Sequence, residues 1–181
     1  MTETELEKLK YPTGKFQIPD AYSETQRSVC IKEIELLPSR IKSSVERLSD
    51  DQLDTVYRPG GWTIRQVVHH CADSHSNAFI RFKLALTEDS PTVKPYFEAR
   101  WAELPDSKSA EISSSLKILE GIHIRWIVLL QSLSSEDFEK TFFHPEKNKM
   151  VSLNETLAMY AWHGRHHLGH ITVLKSRMSW Q

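Results

Sequence analysis

The chain has 181 residues, 23 Lys+Arg against 24 Asp+Glu, and a formal net charge of −1. One domain of that length can bury about 70% of its extended surface within a radius of gyration of ~16 Å. The near-zero charge argues against a nucleic-acid binder, which carries a basic excess, and 39% hydrophobic residues exclude a disordered chain. Cys30 and Cys71 are widely separated and form no CxxC pair, so a reduced, cytoplasmic setting is expected. The acidic start Met1-Thr-Glu-Thr-Glu does not fit a signal peptide, and no apolar run approaches the ~20 residues of a membrane span.

In chain order, residues 1–20 read as an N-terminal extension to a single domain over 1–181. Ser23 and Gln26 form a capping box that starts the first long helix. Its stripe is Val29, Ile34, Leu37, Ile41, Val45 and Leu48, and Pro38 inside it predicts a kink or break. Gly60-Gly61 mark a turn, and Thr63 with Gln66 caps a second helix carrying Ile64, Val67, Val68, Cys71, Ala78, Phe79, Phe82 and Leu86. From Thr87 to Ser109 the periodicity dissolves around Pro91, Pro95 and Pro105, which predicts a long crossover with a short helix near Phe97–Leu104. A third helix runs from about Ser113 through Leu116, Leu119, Ile122, Trp126, Leu130 and Leu133. A connector with a hairpin around Phe142–Val151 follows. The fourth helix opens at the box Ser152-Leu-Asn-Glu155 and continues through Leu157, Tyr160, His163, His167, Ile171 and Leu174. The expected fold is all-α, a four-helix bundle with a long crossover connection.

Nine histidines, unevenly placed, are the anomaly. His163 and His167 lie at i and i+4 on an inward face, close enough to share one metal ion. Packed without partners, two such imidazoles would leave polar nitrogens unsatisfied at about 1–3 kcal/mol each. His166 points about 100° away, to the surface or to a role behind the ligands. Helix two offers His70 and His75 as a third ligand, and periodicity does not choose between them. The polar row His70, Ser74, Asn77 and Arg81 resembles a pocket wall and favours His70. His69 falls off the stripe and is expected exposed.

Trp62-Thr63, then His70-Cys71-Ala72-Asp73, then His163-x-x-x-His167-Leu-Gly-His170-Ile resembles the DinB-like superfamily of four-helix metalloproteins, with His170 where Gln often falls. Tyr57-Arg-Pro-Gly-Gly-Trp-Thr-Ile-Arg-Gln-Val-Val-His-His, Ala72-Asp-Ser-His and Arg81-Phe-Lys-Leu are similar to its YfiT branch. The likeness runs from Tyr11 to Trp180. It implies ligands His70, His163 and His167, and a metal-dependent hydrolase or bacillithiol S-transferase.

Gly164 after His163 excludes an HExxH zincin, and the ligand set has no carboxylate to make an iron oxygenase unless Asp73 joins it. Zinc is the first choice of ion, with nickel, cobalt and iron able to occupy imidazole sites. Activated water attacking a small electrophile is the leading chemistry. A thiolate of a low-molecular-weight thiol at the same site is the alternative, and a non-enzymatic, metal-stabilised stress or binding protein is the second. Asp73 and Tyr160 are candidate catalytic groups, although a surface acid and a core aromatic explain them as well. Arg81, Asn77 and Arg125 are candidate substrate-binding residues, and Arg65 a further anchor, although each arginine also fits a solvated helix face. Expected partners are a small-molecule substrate and a second copy in a homodimer, with no nucleic acid and no membrane.

Overall fold

The computed structural model describes residues 2–180. In chain order it comprises α1 (Glu3–Lys10), α2 (Glu24–Val45), α3 (Asp50–Leu53), α4 (Ile64–Thr87), α5 (Glu98–Trp101), α6 (Pro105–Ser109) and α7 (Ile112–Ser132), then a 3-10 turn Asp137–Glu139, β1 (Thr141–His144), β2 (Lys149–Ser152) and α8 (Leu153–Arg177). The long helices α2, α4, α7 and α8 form a four-helix bundle. α2 and α4 each pack against both α7 and α8. The consecutive long helices α2 and α4 therefore sit across a diagonal of the bundle, as do α7 and α8. The linkers that cross between diagonals carry α3 and the β1–β2 hairpin. Among the described residues no helix is long and apolar enough to cross a membrane.

The capping boxes at Ser23 and Thr63 are formed in full, each side-chain oxygen accepting from the N3 backbone N–H while the Gln returns the bond. Ser152 caps α8, but Glu155 does not complete the expected box. Its carboxylate accepts from Lys149 Nζ at 2.8 and 3.0 Å, tying β2 to the helix start. Of the kink or break expected at Pro38, the break is absent: α2 runs uninterrupted through it. The hairpin pairs Phe142 with Val151, and the crossover is pinned to it by Phe143 N–H to Pro91 O and Val93 N–H to Phe143 O.

Two apolar clusters fill the bundle. One gathers Ile34, Ala78, Phe79, Trp126, Leu130, Leu157 and Ala161. The other gathers Leu37, Ile41, Val68, Cys71, Leu119, Ile171 and Leu174. Between them, at the level of residues 70–75 on α4, 123 on α7 and 163–167 on α8, lies a layer of imidazoles, all buried except the half-buried His163 and His166. Of the expected extension, the described residues do not hang free of the bundle: Trp162 Nε1 donates to Gly14 O at 3.0 Å, and Pro12 and Thr13 pack closely on Gly169.

Candidate metal centre

The Thr63 cap sets the start of α4 and so the angle at which His70 leaves it, while α8 presents His163 and His167 one turn apart. One ligand nitrogen from each of the three lies within 4.8 Å of the others. Nε2 of His70 and Nε2 of His163 approach to 3.1 Å, near the ~3.3 Å that separates two nitrogens on a tetrahedral ion with bonds of ~2.0–2.1 Å. His167 Nδ1 is buried with no hydrogen-bond partner. Burial, reinforced by neighbouring imidazoles, holds His163 and His167 well below the ordinary histidine value and His70 at about 4. All three are therefore neutral donors, the form a divalent cation binds. The residues present fit such an ion.

The indole of Trp62 stands 4.7 Å from the His70 ring and parallel to His167 at 6.3 Å. The imidazoles open on a cavity of about 590 Å³ that His70, His163 and His167 share with Trp62, His166, His170, Ser74, Tyr96 and Tyr160. Its walls carry four cationic side chains, Lys10, Arg58, Arg81 and Lys147, against the carboxylates of Glu98 and Glu146. Tyr160 Oη stands 3.3 Å from Ser74 Oγ. His166 and His170 face each other through Nε2 atoms 3.0 Å apart, with Trp162 stacked on the first and Tyr57 on the second.

The remaining predicted residues fall out as follows. Arg81 and Tyr160 line the cavity, whereas Asp73, Asn77 and Arg125 do not. The Asn77 amide caps the Asp73 carbonyl, and the Arg125 guanidinium lies over the Phe79 ring at 5.3 Å. The Asp73 carboxyl is half-buried and raised to about 6, by burial and then by Asp106. Arg65 is 4% exposed and bonds Asp54, Asp50 and Ala110 O, so it ties α3 and the α6–α7 linker to α4. His69, expected at the surface, is 5% exposed: Nε2 donates to Ala110 O at 3.2 Å and Nδ1 accepts from Ser115 Oγ at 2.7 Å. The start of α7 covers the face of α4 that the apolar stripe left open. His75 is fully buried behind His163, its Nε2 3.2 Å from His163 Nδ1. Cys71 is core, its thiol raised to about 12 by burial.

Sequence reasoning missed His123, Lys10, His144 and Lys147. His123 alone had a signal, since it stands four residues after Leu119 and three before Trp126 on the stripe of α7.

A four-helix bundle that gathers three imidazoles from two of its helices beside a polar cavity defines a class, and the chain belongs to the DinB superfamily, which it matches over residues 33–171. Within it, the chain is 47% identical over 172 residues to the Bacillus subtilis protein named "Putative metal-dependent hydrolase YfiT", covering 95% of this chain and 97% of that one. A Bacillus cereus (strain 03BB102) protein named for the same activity is 53% identical over 172 residues, 95% and 98% of the two chains. The solved structure of YfiT from Bacillus subtilis, described as having "an unusual four-helix bundle topology", superposes with a TM-score of 0.93 at 46% identity, covering 96% of this chain and 99% of that one.

Proposed function

We propose that the chain is a metal-dependent hydrolase that holds one divalent ion, zinc in preference to nickel, cobalt or iron, on His70, His163 and His167. The observation that carries this reading is the convergence of three neutral imidazoles on the wall of a 590 Å³ cavity, with no fourth protein donor in the cluster among the described residues. When bound there, a divalent ion supplies Lewis acidity, which brings water's pKa down toward ~7 and ionises a coordinated thiol outright. The chain's own groups bind and orient. Arg81 and Lys147 present cations to anionic groups of a small substrate, and the Tyr160–Ser74 hydroxyl pair offers a donor to a developing negative oxygen. Trp62 adds an apolar wall beside the imidazoles. The hydrolase names of the Bacillus relatives support the same chemistry.

Thiol transfer is the second reading, and one observation favours it. Glu98 and Glu146 are the carboxylates lining the cavity among the described residues, and neither hydrogen-bonds a ligand imidazole or the Tyr160–Ser74 pair. A coordinated thiol, which the ion ionises outright, needs no carboxylate base, whereas water with a pKa near ~7 is only partly ionised at neutral pH.

Elemental analysis of gently purified protein, followed by assay of stripped and zinc-reloaded samples on small esters and amides with and without a low-molecular-weight thiol, tests both. Zinc-dependent turnover without thiol supports hydrolysis. An absolute thiol requirement transfers the assignment to the second reading. One equivalent of ion with no turnover of either kind would leave a metal-stabilised binding protein, and failure to take up any ion overturns the site.

A further inference from the structure

We propose that His123 and His75 are positioning residues that, starting from the Ile34 carbonyl, lock His163 in the tautomer whose Nε2 lone pair faces the metal site. This rests on the reading of His163 as a ligand.

The chain of bonds begins at Pro38. A proline has no backbone N–H, so the carbonyl four residues earlier loses its helical donor. That carbonyl belongs to Ile34, which is 1% exposed, and a buried acceptor left empty costs about 1–3 kcal/mol. His123 Nδ1 lies 2.7 Å from Ile34 O. A carbonyl only accepts, so His123 Nδ1 carries a hydrogen.

Each later link then has one solution. His123 is buried and held neutral, its value lowered to about 4 by burial, so its Nε2 is a lone pair. That lone pair faces His75 Nδ1 at 2.9 Å, which must donate. His75 is fully buried with no carboxylate bonded to it, and an unpaired imidazolium there would be prohibitively desolvated. It is neutral, so its Nε2 accepts, and His163 Nδ1 at 3.2 Å donates to it. The one nitrogen of His163 left without hydrogen is Nε2, the atom 3.1 Å from His70 Nε2. Polarity is set at the carbonyl and passed through three rings.

All four long helices contribute one member: α2 the carbonyl, α7 His123, α4 His75 and α8 His163. The tautomer is thus tied to correct assembly of the bundle. Aromatic walls keep water from short-circuiting the links. Trp126 stands edge-on to both buried rings, and Tyr160 meets His75 edge-on at 5.1 Å. No protein group bonds His167 Nδ1, in contrast to His163 Nδ1.

The experiment combines long-range 1H–15N NMR of the histidine rings with zinc affinity by chelator competition. In metal-free wild type, His123, His75 and His163 should each carry hydrogen on Nδ1; hydrogen on Nε2 of any of the three overturns the proposal. In His123→Leu, folded by circular dichroism, His163 should lose its single tautomer and zinc affinity should fall 10–100-fold, the usual effect of losing a group behind a ligand. His123→Gln, whose amide donates and accepts in the same order, should recover most of both. His69→Leu removes an equally buried histidine outside the chain of bonds and should leave zinc affinity unchanged. A His123→Leu protein with wild-type affinity, or one matched by His69→Leu, overturns the positioning role. A wild type with the expected tautomers that binds no zinc overturns the metal-site reading instead, and the positioning role with it.

Discussion

Gly164, between the two α8 imidazoles, is where the bundle's packing and the metal centre meet. A Cβ built on it would sit 2.7 Å from Leu37 Cδ2, 3.0 Å from Cδ1 and 3.3 Å from Cγ. Leu37 is 3% exposed, in the cluster with Ile41, Val68 and Leu119, so it has little room to turn away. Gly164→Ala therefore sets an overpacking penalty of about 1–3 kcal/mol against a helix-propensity gain of about 1 kcal/mol. The net is a destabilisation of about 1 kcal/mol, or about 2–4 °C in Tm for a domain of this size. Gly121, on α7, is the internal control, because a Cβ there meets nothing within 4 Å. Gly121→Ala should raise Tm by a similar amount. Calorimetry of both variants without metal gives the two signs. The double variant Gly164→Ala/Leu37→Ala should be more stable than the sum of its singles predicts, because the shortened side chain vacates the space the new methyl needs. If Gly164→Ala raised Tm as much as Gly121→Ala does, α2 and α8 would not be in close contact at Leu37 and Gly164.

Three further outcomes are expected. His163→Ala and His167→Ala should each sharply reduce zinc per chain by elemental analysis, whereas His69→Ala should keep the metal while losing about 1–3 kcal/mol of stability from its severed bonds; equal metal loss in all three would refute the ligand assignment. The metal-free fold should weaken as pH falls from about 6.5 toward 4, since His70, His123 and His166 are held near 4 when folded and take up protons near 6.5 when unfolded; a urea midpoint flat across that window would count against burial of neutral imidazoles. Asp73 runs the other way: its folded value of about 6 lies above the ordinary 3.8, so its ionisation penalises the fold increasingly as pH rises through that interval. Asp73→Asn should raise Tm relative to wild type at pH 7.5 and leave it unchanged at pH 3.5, and a gain confined to acid would reverse the sign argued here.

Much of the architecture was legible because its signals are local. Ser23 and Thr63 announce their helices through bonds spanning three residues, and the four-residue spacing of His163 and His167 places both rings on one face without reference to any other helix. Glu155 shows the limit of that logic. Its spacing from Ser152 satisfies the capping-box pattern, but Lys149, brought alongside by the hairpin, offers a charged partner, and the stronger bond takes the carboxylate. His69 fails for a related reason. A helical wheel ranks residues against one apolar stripe, whereas α4 is covered on a second face by the start of α7.

The choice between His70 and His75 lies beyond any single helix, because both sit near the same stripe and differ in what α8 puts between them. His163 reaches across so that His70 meets its Nε2 and His75 its Nδ1. The two candidates are not rivals for one role but occupants of the two ends of the same imidazole. Pro38 carries the same lesson. Read locally, it subtracts a hydrogen bond and should kink or break α2. In the bundle the helix continues, and the carbonyl it frees receives a ring nitrogen from residue 123 on another helix. A residue chosen for what it fails to donate can thereby direct a proton three side chains away, something sequence spacing alone has no means to express.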